Sequence, residues 1–465
     1  MKIITIYFSC FFFVGILLPV ACLSDELNYA EKEHSILPVS NPIKDYQANI
    51  NQLQIDVGPH SVQLIKPFLS MGILQNENNQ LAKAEETFKH ALQIHRINTG
   101  LHDLSQLPIL ELIINNNISQ QNWKATQNNY EVYAWLHNRN YEKTDPKMLA
   151  VIDKLIAWHL LGTNLEAGPH PGEHFIKLLA LHEQALHIVE NYPIPDDVEL
   201  AKRLYKLALV HYYIAIAVLR GAPVGQYLLQ KFNPIQTGNS YQTVSEDIAM
   251  KRFRISRKLI SRIATLYSNS ASATRGSEAI ALVYLADWDL LFNRHPNAYR
   301  GYKQAYSELI EDGFSSEQVN SFFLQPKLLP KSEFTPDLMI QYTSKNLHAD
   351  RANADVNDLS TAGNEIDFVG WSTALPGVKF PAAEINTIVS PNTERYSLVS
   401  FSVLKDGLTD DIRISRDNPE TSLPRHATHN AIWSAQFRPR LLNGEPMEVS
   451  GMSTRFYLPS IDSLK

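Results

Sequence analysis

The sequence predicts an α+β multidomain protein, with a long array of helices followed by a small module of strand, strand, helix and strand. Three observations lead there. From about residue 60 to 312, apolar residues recur with a helical period. From about residue 376 the period becomes two, the mark of half-buried strands. Between them Pro326, Pro330 and Pro336 punctuate a stretch that runs on to the polar segment Ser344–Asn364, so residues 313–375 read as a linker.

Composition narrows the function. The chain has 465 residues, 44% hydrophobic and 19% charged, enough apolar material for a sizeable core. Its 42 Lys and Arg against 48 Asp and Glu leave a formal charge of −6, so nothing marks nucleic acid as the main partner. Cys10 and Cys22 are the only cysteines and both lie near the N-terminus. The rest of the chain therefore cannot build a disulfide framework, a cysteine zinc site or a thiol nucleophile.

Residues 1–24 read as a leader: Lys2 is its only basic residue, and Ile3–Ala21 is uncharged and largely apolar. Three endings remain open. The leader is cleaved near Cys22–Ser24, or Cys22 is lipidated, or the segment is retained as an anchor, since its length just suffices to span a bilayer. Lipidation is suggested by Leu18-Pro19-Val20-Ala21-Cys22, which resembles a bacterial lipobox apart from Pro19. Each ending predicts a periplasmic body, anchored to the inner or outer membrane in the last two cases.

The array spans residues 45–312. Leu81, Ala84, Phe88, Ala91 and Leu92 share one helix face, and an earlier helix over Ser61–Gln75 ends in the polar run Asn76–Gln80. Two helices joined by so short a turn cannot bury their faces alone and need neighbours. A late segment repeats the pattern with Ala286, Ala298, Tyr302 and Ala305; Gly72 and Ala84 stand as far apart as Ala286 and Ala298. Thr126, Tyr130 and Tyr133 follow Ala84, Phe88 and Ala91 at a constant interval. Further helices are predicted over Asp145–Leu161, Glu173–Glu190, Asp196–Arg220 and Val244–Leu266, with breaks at 168–174 and 221–225. The small, aromatic and small residues at these positions resemble those of tetratricopeptide repeats, with Phe68, Met71 and Gly72 on the first helix. That resemblance implies a solenoid whose extended face receives protein partners.

The module spans residues 376–465. Ser397–Val403 alternates polar with apolar, Asp406-Gly407 is a tight-turn signal, and Leu408–Ser415 is the returning strand. A helix over Leu423–Ala435 follows, ended by Phe437-Arg438-Pro439, and Asn443-Gly444 leads into a last strand over Met447–Tyr457. This order, with Phe401-Ser402-Val403, Trp433, Phe437-Arg438-Pro439 and Asn443-Gly444-Glu445-Pro446, resembles the C-terminal domain of the TonB energy transducers over about residues 376–459. Phe380-Pro381 stands for the family's Tyr-Pro. The resemblance implies docking without catalysis: an extended segment of an outer-membrane TonB-dependent transporter would add beside the last strand. Met447, Val449, Gly451, Ser453 and Arg455 are then the candidate partner-binding residues. Transducers also carry a Ser and a His four apart in a membrane helix, whereas here Ser9 is followed by Phe13. The expectation is therefore an envelope adaptor that binds other proteins, with an energy transducer as the alternative.

No cofactor, metal or catalytic set is predicted. His182 and His187, five apart, fall about 140° apart around a helix, whereas a zincin pair at four shares one face. His170 and His174 flank a Pro-Gly turn. Glu85-Glu86 and Asp410-Asp411 read as surface charge, and Trp123, Tyr130, Tyr133 and Trp135 read as core. Phosphate-binding loops and nucleophile elbows are absent from the sequence. The chain is expected not to be an enzyme.

Overall fold

The computed structural model describes residues 42–165, 170–192, 196–221, 223–233, 241–270, 273–349, 396–418 and 425–457. The leader with Cys10 and Cys22, and Phe380-Pro381, lie outside the described residues. The chain is mostly helical, with small antiparallel sheets toward the C-terminus. It forms two compact units, with the boundary at Trp158 and His159.

The N-terminal unit holds α1 (Pro42–Val57), α2 (Ile65–Glu77), α3 (Leu81–Thr99), α4 (Leu107–Ser119), α5 (Trp123–Asn140) and the first part of α6 (Met148–Leu165). Its sequence period is visible in its hydrogen bonds. Ser61 and Asp103 each cap a short 3-10 turn, accepting from the N–H of Gln63 and Ser105. Asn98 Nδ2 donates to the His60 carbonyl at 2.9 Å, and Asn140 Nδ2 to the His102 carbonyl at 3.0 Å. The turns between paired helices repeat as well. Asn79 and Gln121 have left-handed φ of 57° and 54°, and the next N–H reaches back to the carbonyls of Gln75 and Asn117. This closure satisfies the last carbonyls of a helix.

The reason for the small and aromatic residues is close helix packing. Phe88 and Ala84 are fully buried, and a Cβ on Gly72 would lie 2.5 Å from the Phe88 ring. Ile50, Leu64, Phe68, Leu92 and Ile113 complete that core. In α5, Thr126 and Tyr130 take the corresponding buried places, and Tyr130 stacks on Trp158 at 5.3 Å. The aromatic cluster is not all core: Tyr133 is buried, but Trp135 is 48% exposed because it lies on the outward side of α5.

The C-terminal unit continues with α7 (Pro171–Glu190), α8 (Asp197–Arg220), α9 (Pro223–Phe232), α10 (Tyr241–Asn269), α11 (Ser277–Leu291), α12 (His295–Glu311), α13 (Ser316–Phe322), β1 (Lys327–Leu329) and α14 (Leu338–Ala349). The module follows as β2 (Tyr396–Val403), β3 (Thr409–Asn418), α15 (Arg425–Trp433), β4 (Gln436–Arg438), β5 (Arg440–Leu442), β6 (Glu445–Met447) and β7 (Val449–Tyr457). The α11–α12 turn has the same geometry as the two above: Asn293 has φ 58°, Arg294 N–H donates to Asp289 O, and Tyr302 is buried nine residues on.

Two segments depart from the sequence reading. The break expected over 221–225 is shorter than that: α8 ends at Arg220, Pro223 already opens α9, and a Cβ on Gly225 would meet the Ala217 carbonyl at 2.0 Å, so only glycine permits this approach to α8. The stretch from 313 to 349, read as linker, is ordered. A capping box at Ser315 and Gln318 starts α13. β1 pairs with β4, and the residues after it lie along helices of the same unit. Tyr205 OH donates to Lys331 O at 2.7 Å, Lys206 Nζ to Ser332 O at 3.0 Å and Tyr284 OH to Glu333 O at 2.9 Å. Phe334 is buried among the rings of Tyr205, Tyr267 and Tyr284. Prolines hid this order from local pattern reading. Buried Leu328, Leu329 and Phe334 supply the apolar contact, and the helix side chains satisfy the carbonyls.

Candidate partner-docking edge

β2, β3 and β7 form an antiparallel sheet in the order β3-β2-β7, so the first strand of the hairpin is central and, among the described residues, β7 lies at an edge. Alternation along β2 sends Val399, Phe401 and Val403 into a core with Ile432 of α15, Phe437, Leu328 and Met452. Thr409 Oγ1 donates to the Ile432 carbonyl at 3.0 Å and ties α15 to β3. The β2–β3 turn needs Gly407: its φ is +81°, and a Cβ there would lie 2.1 Å from the Phe437 carbonyl oxygen.

After α15 the chain makes two excursions onto the helices before returning to the sheet. β4 carries Arg438 into the unit's interior. There its Nε donates to Asp287 Oδ1 of α11 at 2.8 Å and Nη2 donates to Oδ2, while Tyr302 OH donates to the same Oδ1 at 2.8 Å. Both charges are nearly fully buried. Burial works against the guanidinium's charge, but the Asp287 carboxylate outweighs it and raises its proton affinity above the ordinary value. Next, β5 and β6 pair through a turn in which Asn443 and Gly444 both have positive φ. Asn443 Oδ1 accepts from Tyr306 OH and Asn320 Nδ2, its N–H donates to Asn320 Oδ1 at 2.8 Å, and Lys303 pairs with Glu445 at the surface. The Asn-Gly turn thus joins two short strands instead of leading directly into the last one.

β7 begins with a bulge. Val449 lies opposite Val403 and Met452 opposite Phe401, leaving Ser450 and Gly451 against the single residue Ser402. Gly451 has φ +71°, which suits the bulge. The bulge reverses the alternation, so Val449 packs against the same core as buried Met452. The candidate residues therefore do not share one face. Met447 belongs to β6, opposite Arg440, and is partly exposed; Gly451 is exposed in the bulge; Ser453 lies in β7 opposite Ser400 and Arg455 opposite Leu398. Cys22 is outside the described residues. Among the described residues no strand pairs with the outer side of β7, whose regular part runs from Met452 to Tyr457. Such an edge presents alternate N–H and C=O groups for pairing.

No family model matches the chain, and no curated protein matches it in sequence. The edge is therefore read from its own geometry.

The other residues weighed from the sequence fall apart as a site. His182 is buried on α7 while His187 is exposed beside Asn191, as five-residue spacing dictates. His174 Nδ1 lies 2.9 Å from His159 Nδ1, and His170 stacks on Tyr227 instead. Glu85 pairs with Lys89, and Asp411 with Arg413. Among the described residues no group of three or more His, Cys, Asp or Glu is placed to hold a metal, and no single helix is long and apolar enough to cross a membrane. Sequence reasoning missed the Asp287–Arg438 pair that fixes the module. Two acids in the otherwise apolar run of α11 were its only signal.

Proposed function

We propose that this chain is a non-enzymatic adaptor of the cell envelope. Its helices act as a tetratricopeptide-like partner surface, and its TonB-C-terminal-like module receives an extended segment of an envelope protein along β7. The observation that carries this reading is that, among the described residues, no strand pairs with the outer side of β7 beside the central strand β2. The order of hairpin, helix and edge strand supports the TonB likeness, and the three repeated helix turns support the tetratricopeptide likeness. A TonB-dependent outer-membrane transporter is the partner class the likeness suggests, and the periplasm the compartment. The adaptor is preferred over an energy transducer because β4, β5 and β6 bind the module firmly to α11, α12 and α13 of its own chain.

The test uses proline, which has no N–H to offer an incoming strand. Of two successive residues in β7, one aims its N–H at β2 and the other outward. Ser453→Pro and Thr454→Pro are therefore made separately in the full chain. One of the two is expected to remain folded by circular dichroism and to lose at least about tenfold in affinity for the envelope protein retained by wild type, as one outward N–H is lost and the proline ring crowds the incoming strand. On partner binding, hydrogen exchange should slow at Met452–Tyr457. If every folded variant binds like wild type, recognition lies elsewhere.

A further inference from the structure

In the N-terminal unit, α3 and the loop after it carry an open groove of about 360 Å³, lined by Lys89, Leu92, Gln93, Arg96, Ile97 and Leu101. Its apolar rim is unusually bare: Ile97 is 54% exposed and Leu101 63%. Next to Leu101, His102 packs edge-on to Trp135, which extends the apolar surface. No carboxylate lines the groove.

Arg96 is held there by design of the loop. Gln106 is fully buried, and its Nε2 donates to the carbonyls of Leu101 at 2.9 Å and Asp103 at 2.8 Å. That orientation leaves Gln106 Oε1 to accept from Arg96 Nε at 2.7 Å. The guanidinium is half-buried and oriented, yet among the described residues no carboxylate pairs with it. Lys89, two turns back on the same face, already pairs with Glu85 at 2.6 Å. Among the described residues, the groove thus offers a fixed cation with no carboxylate partner beside an aliphatic floor.

We infer that this groove docks an amphipathic segment of a partner protein, one that sets an Asp or Glu against Arg96 and aliphatic side chains against Leu92, Ile97 and Leu101. A planar guanidinium with free N–H groups matches a single carboxylate. A protein segment fits better than an anionic membrane, because Glu85 and Glu86 stand one turn from Lys89 and oppose a sheet of like charge. The site lies in the other unit from β7 and does not depend on that edge.

The test is fluorescence anisotropy with the full chain and two labelled peptides: a Leu/Glu helix-forming amphipathic peptide and its Leu/Gln twin. Wild type is expected to bind the Glu peptide about tenfold or more tightly than the Gln twin, which is the scale of one charge-assisted hydrogen-bond pair. Arg96→Gln should remove that preference, and Leu101→Asp should weaken binding of both peptides. Leu101 is a surface residue, so this second variant keeps the test valid should Arg96→Gln misfold. Lys202→Gln, an exposed change on α8 of the other unit, serves as the control that leaves this binding unchanged. Equal binding of the two peptides by wild type, an undiminished preference in Arg96→Gln, no binding of either peptide, or Arg96-dependent binding to phosphatidylglycerol vesicles in place of peptide would each overturn the proposal.

Discussion

Arg438 and Asp287 meet where either alone would be costly. Both are almost fully buried, and each carboxylate oxygen of Asp287 accepts from the guanidinium, with Tyr302 OH as a third donor. Removing one partner leaves a charge without water or counter-charge. Arg438→Ala is therefore expected to lower stability by about 3–5 kcal/mol in urea unfolding. The double change Arg438→Met with Asp287→Leu should recover most of that loss, since an apolar pair of similar volume avoids the desolvation cost. If Arg438→Ala unfolds at the wild-type urea midpoint, the pair does not hold the module. Neither role was legible in sequence. Asp287 is one acid in a largely apolar stretch of α11 and drew no reading, Arg438 read as part of a helix stop, and their partnership spans 151 positions.

At the scale of elements, the helical hairpins were the most legible part. Small, aromatic and small residues at fixed spacing marked the buried faces of α3 and α12, and Phe88 and Tyr302 are buried as that spacing requires. Phe88→Ala should cost about 3–5 kcal/mol, because the Gly72 approach leaves a cavity that backbone cannot refill. Thermal loss of helical signal would measure it; an unchanged midpoint would mean the α2–α3 contact does not depend on the ring. What local pattern missed has a common cause. α9, β1 and the β5–β6 hairpin take their form from packing against other elements: the Ala217 carbonyl of α8, β4 and the surface of α12. The Gly451 bulge is a similar case. Strict alternation placed Val449 with Gly451 and Ser453, and one extra residue sent it to the core with Met452.

For the molecule as a whole, acid should be the sharpest stress, and on the C-terminal unit in particular. Burial, reinforced by His174 and Lys177, lowers the His159 pKa to about 3. Burial with Lys206 and Arg203 nearby lowers His182 to about 3, and burial beside Arg252 lowers His211 to about 4. The folded unit keeps all three neutral, while the unfolded chain takes up protons near pH 6.5. Their stabilising effect is thus whole above that pH and is lost as pH falls toward 4, at about 1.4 kcal/mol per pH unit for each group. Urea midpoints between pH 6.5 and 4.5 should fall steeply, and His182→Leu should flatten the slope by about a third. An unaltered slope in that variant would remove His182 from the account.

The pairing of β1 with β4, and of Asp287 with Arg438, also fixes an order of events during synthesis. A ribosome delivers the chain from its N-terminus. The repeats around α2 to α5 close on partners only one or two helices away, so they can condense while the remainder is still being made. The helices from α8 to α12 stay unfinished for far longer. Their tyrosines wait for Phe334, and their buried aspartate waits for an arginine 151 positions further on. A chain truncated before residue 436 would lack not just a module but the closing piece of the helices that precede it.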